Sequence, residues 1–507
     1  MHSAQRSLGR LAPQSVSRAA AWIRHVTSRH PNEQSVPPTA AVATPEISED
    51  SAAAAAAAAA VAFLGGAAAP PAKAAAAARA AAPTTKAAAA ATGSLPAVEI
   101  RSARATDSGM QVTWSDGERS TFHREWLFRN RLENLFHSGQ NLMDPTERCH
   151  ATVTSVTQVG ARDGGGSLIV HWADDPNLQS STFPALYLRQ LSHSLGSRAV
   201  EEAARKPKPL MSSDEIPTVE HASLQSEGGV KAWLELVNRH GLCLVKNVPR
   251  EEGAVSRVAE RIGPVMNTIY GKQFDVVAVA DPINVAYSTL GLVMHQDLVY
   301  YESPPGLQLL HCMRFDQDIM GGESSLADAF HAAEILRERD PKAFATLSRV
   351  PATFQKIHYD RPDPVHLQYR RPHIQVNDSG AVISVFWAPQ FEGPLHAPEE
   401  DVEEYFRAYH LLADIFDEHS SHQVIIKRRL EPGDLLCFNN RRMVHGRTPF
   451  SQEGGGTVTS GGRHLQGCYV GMETYINRLR VLQHLEIAPE HRSPGIPISR
   501  VSNGDHA

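Results

Sequence analysis

The sequence predicts a mainly β protein with α insertions. Its core would be a double-stranded β-helix, or jelly-roll, preceded by a small β-rich N-terminal domain. Three observations predict this. Apolar runs at 241–245, 307–310 and 435–438 are set off by turn signals such as Pro304-Pro305-Gly306 and Glu431-Pro432-Gly433-Asp434, the pattern of short buried strands. Helical patterning is confined to an opening amphipathic stretch at 228–240 and two charged stretches near 330–339 and 399–418, which suits strands with inserted helices. A strand–turn–strand pattern also occurs twice between 97 and 195.

Taken in order, residues 1–36 begin with Arg6, Arg10, Arg18, Arg24 and Arg29 and have no acidic residue before Glu33. With a partly amphipathic apolar pattern, this predicts a mitochondrial transit peptide; the alternative is a basic tail on a cytoplasmic protein. Residues 37–96 are an Ala/Pro-rich linker. The run at 52–64 is cut by Gly65, Gly66, Pro70 and Pro71, short of the ~20 residues a membrane span needs. No membrane partner is therefore expected.

Residues 97–205 hold the repeat. Gln111 to Gly117 leads to Ser120-Thr121-Phe122 and Trp126-Leu127, while Ile169 to Asp175 leads to Ser181-Thr182-Phe183 and Tyr187-Leu188. Each copy reads as a strand, an Asp turn, a second strand and an aromatic-Leu anchor. Residues 206–490 form the jelly-roll domain and 491–507 a tail. A net charge of −6 over 507 residues excludes a basic nucleic-acid footprint. Five scattered cysteines with no CxxC fit a reducing compartment rather than a disulfide framework.

The chemistry centres on His295-Gln296-Asp297. Two side chains two apart on a strand share a face, and an imidazole and a carboxylate so placed can hold one metal ion. His445, beyond the buried run 435–438, is the third ligand of a 2-His-1-carboxylate set suited to non-haem Fe(II). A second His-x-Asp, His358-Tyr359-Asp360, lies in a Pro- and Arg-rich loop without strand pattern and reads as structural.

Five motifs in one order then carry a resemblance: NVAY before the HxD, ESPPGLQLLHC, GGESSLADAF (321–330), PGDLLCFNNRRMVHGR (432–447) and RHLQGCYV (463–470). From about 210 to 485 the chain resembles the gamma-butyrobetaine and trimethyllysine dioxygenase branch of the taurine-dioxygenase superfamily. The resemblance implies an enzyme using Fe(II), 2-oxoglutarate and O2, with ascorbate as reductant, on a small-molecule substrate. It also implies a homodimer.

The same resemblance assigns residues. His295, Asp297 and His445 would hold iron. Arg463 would hold the far carboxylate of 2-oxoglutarate through its guanidinium fork. Arg447 is the rival, because a Gly-rich insertion, 451–462, widens the gap after His445. Leu310 would pack on the co-substrate, and Ser324 stands near it or serves only as a turn residue. Tyr270, Phe274, Tyr287 and Tyr469 match an aromatic cage for a quaternary ammonium, or else are core; Asn284 matches a substrate contact.

The acid end departs from the pattern. Leu298 follows the HxD where a Tyr is usual, and 386–394 replaces an Asn-rich run. Butyrobetaine should therefore bind with a raised KM unless 451–462 closes as a lid. The related N-terminal zinc ligands are missing after Trp126-Leu127, so no zinc is expected there. The trimethyllysine reaction and a non-catalytic binding module are the alternatives; the module would have lost a ligand, and all three are present.

Overall fold

In the computed structural model the described residues are 99–136, 139–160, 166–176, 178–192, 209–210, 212–279, 285–417, 425–453 and 462–485. All belong to one compact unit, Gly93–Ala507. The transit-peptide and linker assignments, the tail, Asn284 and most of the 451–462 insertion lie outside the described residues.

Residues 99–192 form two three-stranded antiparallel sheets. The first is Ile100–Thr106, Gly109–Trp114 and Arg119–His123; the second is Thr152–Val159, Ser167–Ala173 and Ser180–Pro184. A short helix follows each, Arg124–Arg129 and Ala185–Gln190. Each copy thus has one strand more than the repeat suggests, because the leading strands are polar on their outer faces and lack an apolar signature. The two copies share one buried bond: Trp114 Nε1 donates to Ser120 Oγ at 2.7 Å, and Trp172 Nε1 to Ser181 Oγ at 3.0 Å. A buried indole needs that acceptor, which gives a physical reason for the paired Trp and Ser positions.

The rest is built on two sheets. Six strands run in the order Thr218–Glu220, Leu242–Lys246, Leu435–Asn439, Leu307–Phe315, Arg463–Val470, Phe274–Val277. Four more run Leu292–His295, Met443–Arg447, Ser324–Asp328, Ile426–Arg428. Most neighbours in these sheets are far apart in sequence, so the sheets are jelly-roll-like layers and not meanders.

One face of the larger sheet is covered by the helix Glu227–His240 and by Met472–Leu485, through Trp233, Val237, Leu309, Cys437, Tyr475 and Leu479. Ser226 caps the first helix by accepting from Gly229 N–H, and Gly241 ends it at φ 81°, the left-handed residue that closes such helices.

A second core gathers three helices, Ala329–Arg339, Pro341–Arg349 and Glu399–Phe416, around Phe330, Leu347, Phe354, Trp387 and Leu412. Pro341–Arg349 and Met472–Leu485 were not anticipated. Pro341 reads as a breaker in sequence, yet it sits in the first turn behind the Asp340 cap, where its missing N–H costs nothing. The Arg442 and Asp328 side chains form a buried pair at 2.6 Å. Asp328 also caps Ala329–Arg339, and Arg442 donates to the carbonyls of Asn238 and Arg239. One ion pair therefore ties two helix ends to the sheet.

Candidate metal centre

His295 and His445 face each other on adjacent antiparallel strands, their ring centroids 4.3 Å apart. Asp297 completes a group whose ligand atoms all lie within 4.8 Å of one another. His295 Nε2 is 3.4 Å from Asp297 Oδ1, and His445 Nε2 is 3.9 Å from Asp297 Oδ2.

The strand carrying His295 ends at that residue, so strand alternation is not what aims Asp297. A turn does it. Gln296 N–H donates to Trp387 O at 2.7 Å, and Gln296 Oε1 accepts from Trp387 N–H at 2.9 Å. Asn440 holds the Asp297 backbone from both sides, accepting its N–H at 3.0 Å and donating to its carbonyl at 2.9 Å. The next residue, Leu298, has φ 57°, a strained value for a Leu, and its side chain is buried in the helical core. No local sequence signal encodes these clamps, which come from 91 and 143 residues away.

The donor set fits a divalent iron. His295 Nδ1 lies 2.8 Å from Val293 O, which orients the ring with Nε2 toward Asp297, where a metal would take the place of the proton. Burial, then the charge of His295, pushes the His445 imidazole down to about 3, so it is a neutral donor. Burial raises the Asp297 carboxyl, but the bond from His295 first, and the Tyr469 hydroxyl, outweigh it and hold the group ionised. Gln308 Nε2 and the Tyr469 hydroxyl each donate to Asp297 Oδ2 at 2.8 Å. Two nitrogens and one carboxylate on one side of a cavity leave positions for co-substrate and oxygen.

The cavity at this centre is walled by both sheets. Val276, Leu326, Leu436 and Leu465 make it apolar, and Leu310, Ser324, Arg447 and Arg463 reach it. The two arginines differ in their partners. Arg447 donates to the carbonyls of Ala286, Ser288 and Leu290. Arg463 is 3% exposed, and its Nε donates to Gly322 O at 3.1 Å. Burial, then the charge of Arg447, lowers its guanidinium to about 9. Gly322, at φ 77°, leaves the room: a Cβ there would lie 3.2 Å from Arg463 Cδ and Nε.

Tyr270, Phe274, Tyr287 and Tyr469 line the same cavity. Phe274 stacks on Tyr469 at 5.0 Å and meets Tyr270 at 6.2 Å. Gly467 makes this possible, since a Cβ on it would fall 2.5 Å from the Phe274 ring. Sequence reasoning missed Gln308, which reaches Asp297 from inside a run read only as a buried strand; Gln390 and Phe391, from the 386–394 stretch, also line the cavity. The second His-x-Asp lies at the tip of a hairpin formed by Ala352–His358 and Val365–Arg371. The Pro residues hid its strands. It joins no metal-binding group among the described residues.

Residues 203–469 match the family model of taurine catabolism dioxygenase TauD, TfdA family. The chain belongs to this family. It is similar to the gamma-butyrobetaine dioxygenase of Pseudomonas sp. (strain AK-1), with 34% identity over 76% of this chain and 96% of that one. It is also similar to the trimethyllysine dioxygenase of Meyerozyma guilliermondii, with 28% identity over 53% of this chain and 64% of that one. An asparagine oxygenase solved with Fe(II), 3-hydroxyasparagine and succinate aligns over 50% of this chain and 83% of its own, at 18% identity and a TM-score of 0.37. As a TauD/TfdA enzyme the protein is an Fe(II)- and 2-oxoglutarate-dependent dioxygenase, and His295, Asp297 and His445 are the residues fitted to hold its iron.

Proposed function

We propose that the enzyme hydroxylates an unactivated C–H of a small trimethylammonium acid, gamma-butyrobetaine above all, giving L-carnitine. The carrying observation is that four aromatic side chains share one cavity with the His-Asp-His group, and among the described residues Asp297 is its only acidic lining residue. A quaternary ammonium donates no hydrogen bond, so ring faces are its natural partners. The name and the extended match of the Pseudomonas relative support the same substrate.

In this reading Arg463 binds the far carboxylate of 2-oxoglutarate, because its fork is not spent on backbone carbonyls as that of Arg447 is. Leu310 packs on the co-substrate chain and Ser324 offers it a hydroxyl. Bound iron supplies the centre at which O2 is activated while 2-oxoglutarate is oxidised to succinate and CO2, with ascorbate keeping it reduced. The chain's own part is geometric. Gln308, Tyr469 and Asn440 hold Asp297 in place, the apolar walls exclude water, and the rings fix the substrate's cation so that one C–H faces the iron.

We also infer a transit peptide at 1–36, a linker at 37–96, a supporting domain at 97–205 without structural zinc, and a homodimer. The test of the main reading is succinate release with Fe(II), ascorbate and gamma-butyrobetaine. Competition with trimethyllysine decides the alternative, which rests on the Meyerozyma relative. No turnover of either compound would overturn the substrate class and leave the dioxygenase assignment standing.

A further inference from the structure

The turn that carries Asp297 is joined to one segment of the cavity wall at two places. One residue before Asp297, the buried Gln296 exchanges two bonds with Trp387. Its N–H donates to Trp387 O at 2.7 Å, and its Oε1 accepts from Trp387 N–H at 2.9 Å. Three residues past Asp297, the Tyr300 ring meets Phe391 edge-on at 5.2 Å. The metal ligand thus sits between two ties to the same segment. That segment is itself anchored at both ends. The Trp387 ring packs on Tyr409 at 4.8 Å and on Phe416 at 5.3 Å, and Gly393 N–H donates to Thr353 O at 2.8 Å. Between these anchors Pro389–Phe391 forms a single 3-10 turn, and its Gln390 and Phe391 line the cavity.

Two features beside Asp297 cost stability and serve no packing purpose. Leu298 is held at φ 57°, a conformation that persists only where the surroundings over-determine it. Gln296 Nε2 is buried without a hydrogen-bond partner, so the side chain is kept for its oxygen alone. A buried donor left unpaired calls for an explanation of this kind. Freed from Trp387, the turn would relax at Leu298 and carry Asp297 away from the two imidazoles.

We infer that Gln296 is a positioning residue through which the wall segment 387–391 sets Asp297. A substrate seated against Gln390 and Phe391 holds that segment onto the Asp297 turn, so substrate and iron strengthen each other's binding. Such coupling is reciprocal. The inference rests on the trimethylammonium-acid reading for its substrate and deepens it: the surface that receives the substrate is also the surface that aims the metal ligand.

The test is iron titration without O2, in the presence of 2-oxoglutarate, with and without gamma-butyrobetaine. In the wild type gamma-butyrobetaine should tighten iron binding about fivefold or more, and iron should tighten gamma-butyrobetaine by the same factor. Gln296→Met keeps the length of the side chain and removes the acceptor. Iron should bind this variant more weakly, and gamma-butyrobetaine should no longer change its affinity. At saturating iron the KM for gamma-butyrobetaine should rise several-fold, while the KM for 2-oxoglutarate, held by Arg463 from the larger sheet, should change little. A purely structural role for Gln296 would weaken iron and leave the response to substrate intact. Equal responses in wild type and variant, or bound gamma-butyrobetaine without effect on iron in the wild type, overturn this inference alone; the second result needs no variant to fold. Failure of the wild type to bind any trimethylammonium acid overturns the substrate reading and this coupling together.

Discussion

Asp297 is aimed by its neighbours before any metal arrives. Its Oδ2 accepts from Gln308 and Tyr469, and its backbone is held by Asn440. Partners of this kind are worth 10–100-fold in metal affinity. Gln308→Leu should therefore weaken iron binding by about that factor while leaving the aromatic rings in place, measured by iron titration. Tyr469→Phe separates two roles at one position. It keeps the ring, so the KM for a trimethylammonium acid should change little, and it removes the hydroxyl, so iron affinity should fall. Arg463→Met removes the one guanidinium at the cavity not spent on several carbonyls. The KM for 2-oxoglutarate should rise roughly ten- to a hundredfold, as for a lost charge-assisted pair of ~1.5–3 kcal/mol. The same readout for Arg447→Met would have to show the larger effect for the rival assignment to stand.

At the scale of elements, the site depends on how closely strands approach. Gly446 is on the His445 strand, and a Cβ on it would fall 2.5 Å from Leu292 O of the His295 strand. Gly446→Ala should push the His295 and His445 strands apart and abolish stoichiometric iron uptake, which metal analysis of the purified variant would report. The buried Arg442–Asp328 pair fastens helix ends to the sheet. Removing one partner of a buried pair leaves a charge uncompensated and costs about 3–5 kcal/mol. Asp328→Ala should lose stability of that order in denaturant unfolding, whereas an exposed pair such as Arg314 and Asp316 should contribute far less.

For the whole molecule, stability follows pH through Glu392. Burial raises its carboxyl from 4.5 to about 7, and the Tyr409 hydroxyl offsets only part of this; one carboxylate oxygen is buried without a hydrogen bond. The folded state then holds the proton more tightly than the unfolded chain. Its contribution is fully present below the unfolded value of 4.5 and is lost as pH rises through about 7. Glu392→Gln should flatten the fall in stability between those values, seen as a smaller drop in thermal midpoint from pH 5 to pH 8. An equal drop in wild type and variant would remove Glu392 as the cause.

The amino-acid sequence by itself determined the kind of chemistry. His295, Asp297 and His445, the aromatic side chains and the buried runs with their turns are local signals, because side-chain chemistry and apolar periodicity are written along the chain. Helices with a clear amphipathic face, such as 228–240, were legible for the same reason. The tertiary structure alone decided what those residues do to one another. It put Asp297 in a clamped turn rather than on a strand, since Gln296 and Asn440 find their partners only when distant segments meet. It separated Arg463 from Arg447 by the carbonyls that happen to surround each guanidinium. Hydrogen-bond satisfaction and burial are properties of neighbours in space, and a linear pattern does not carry them.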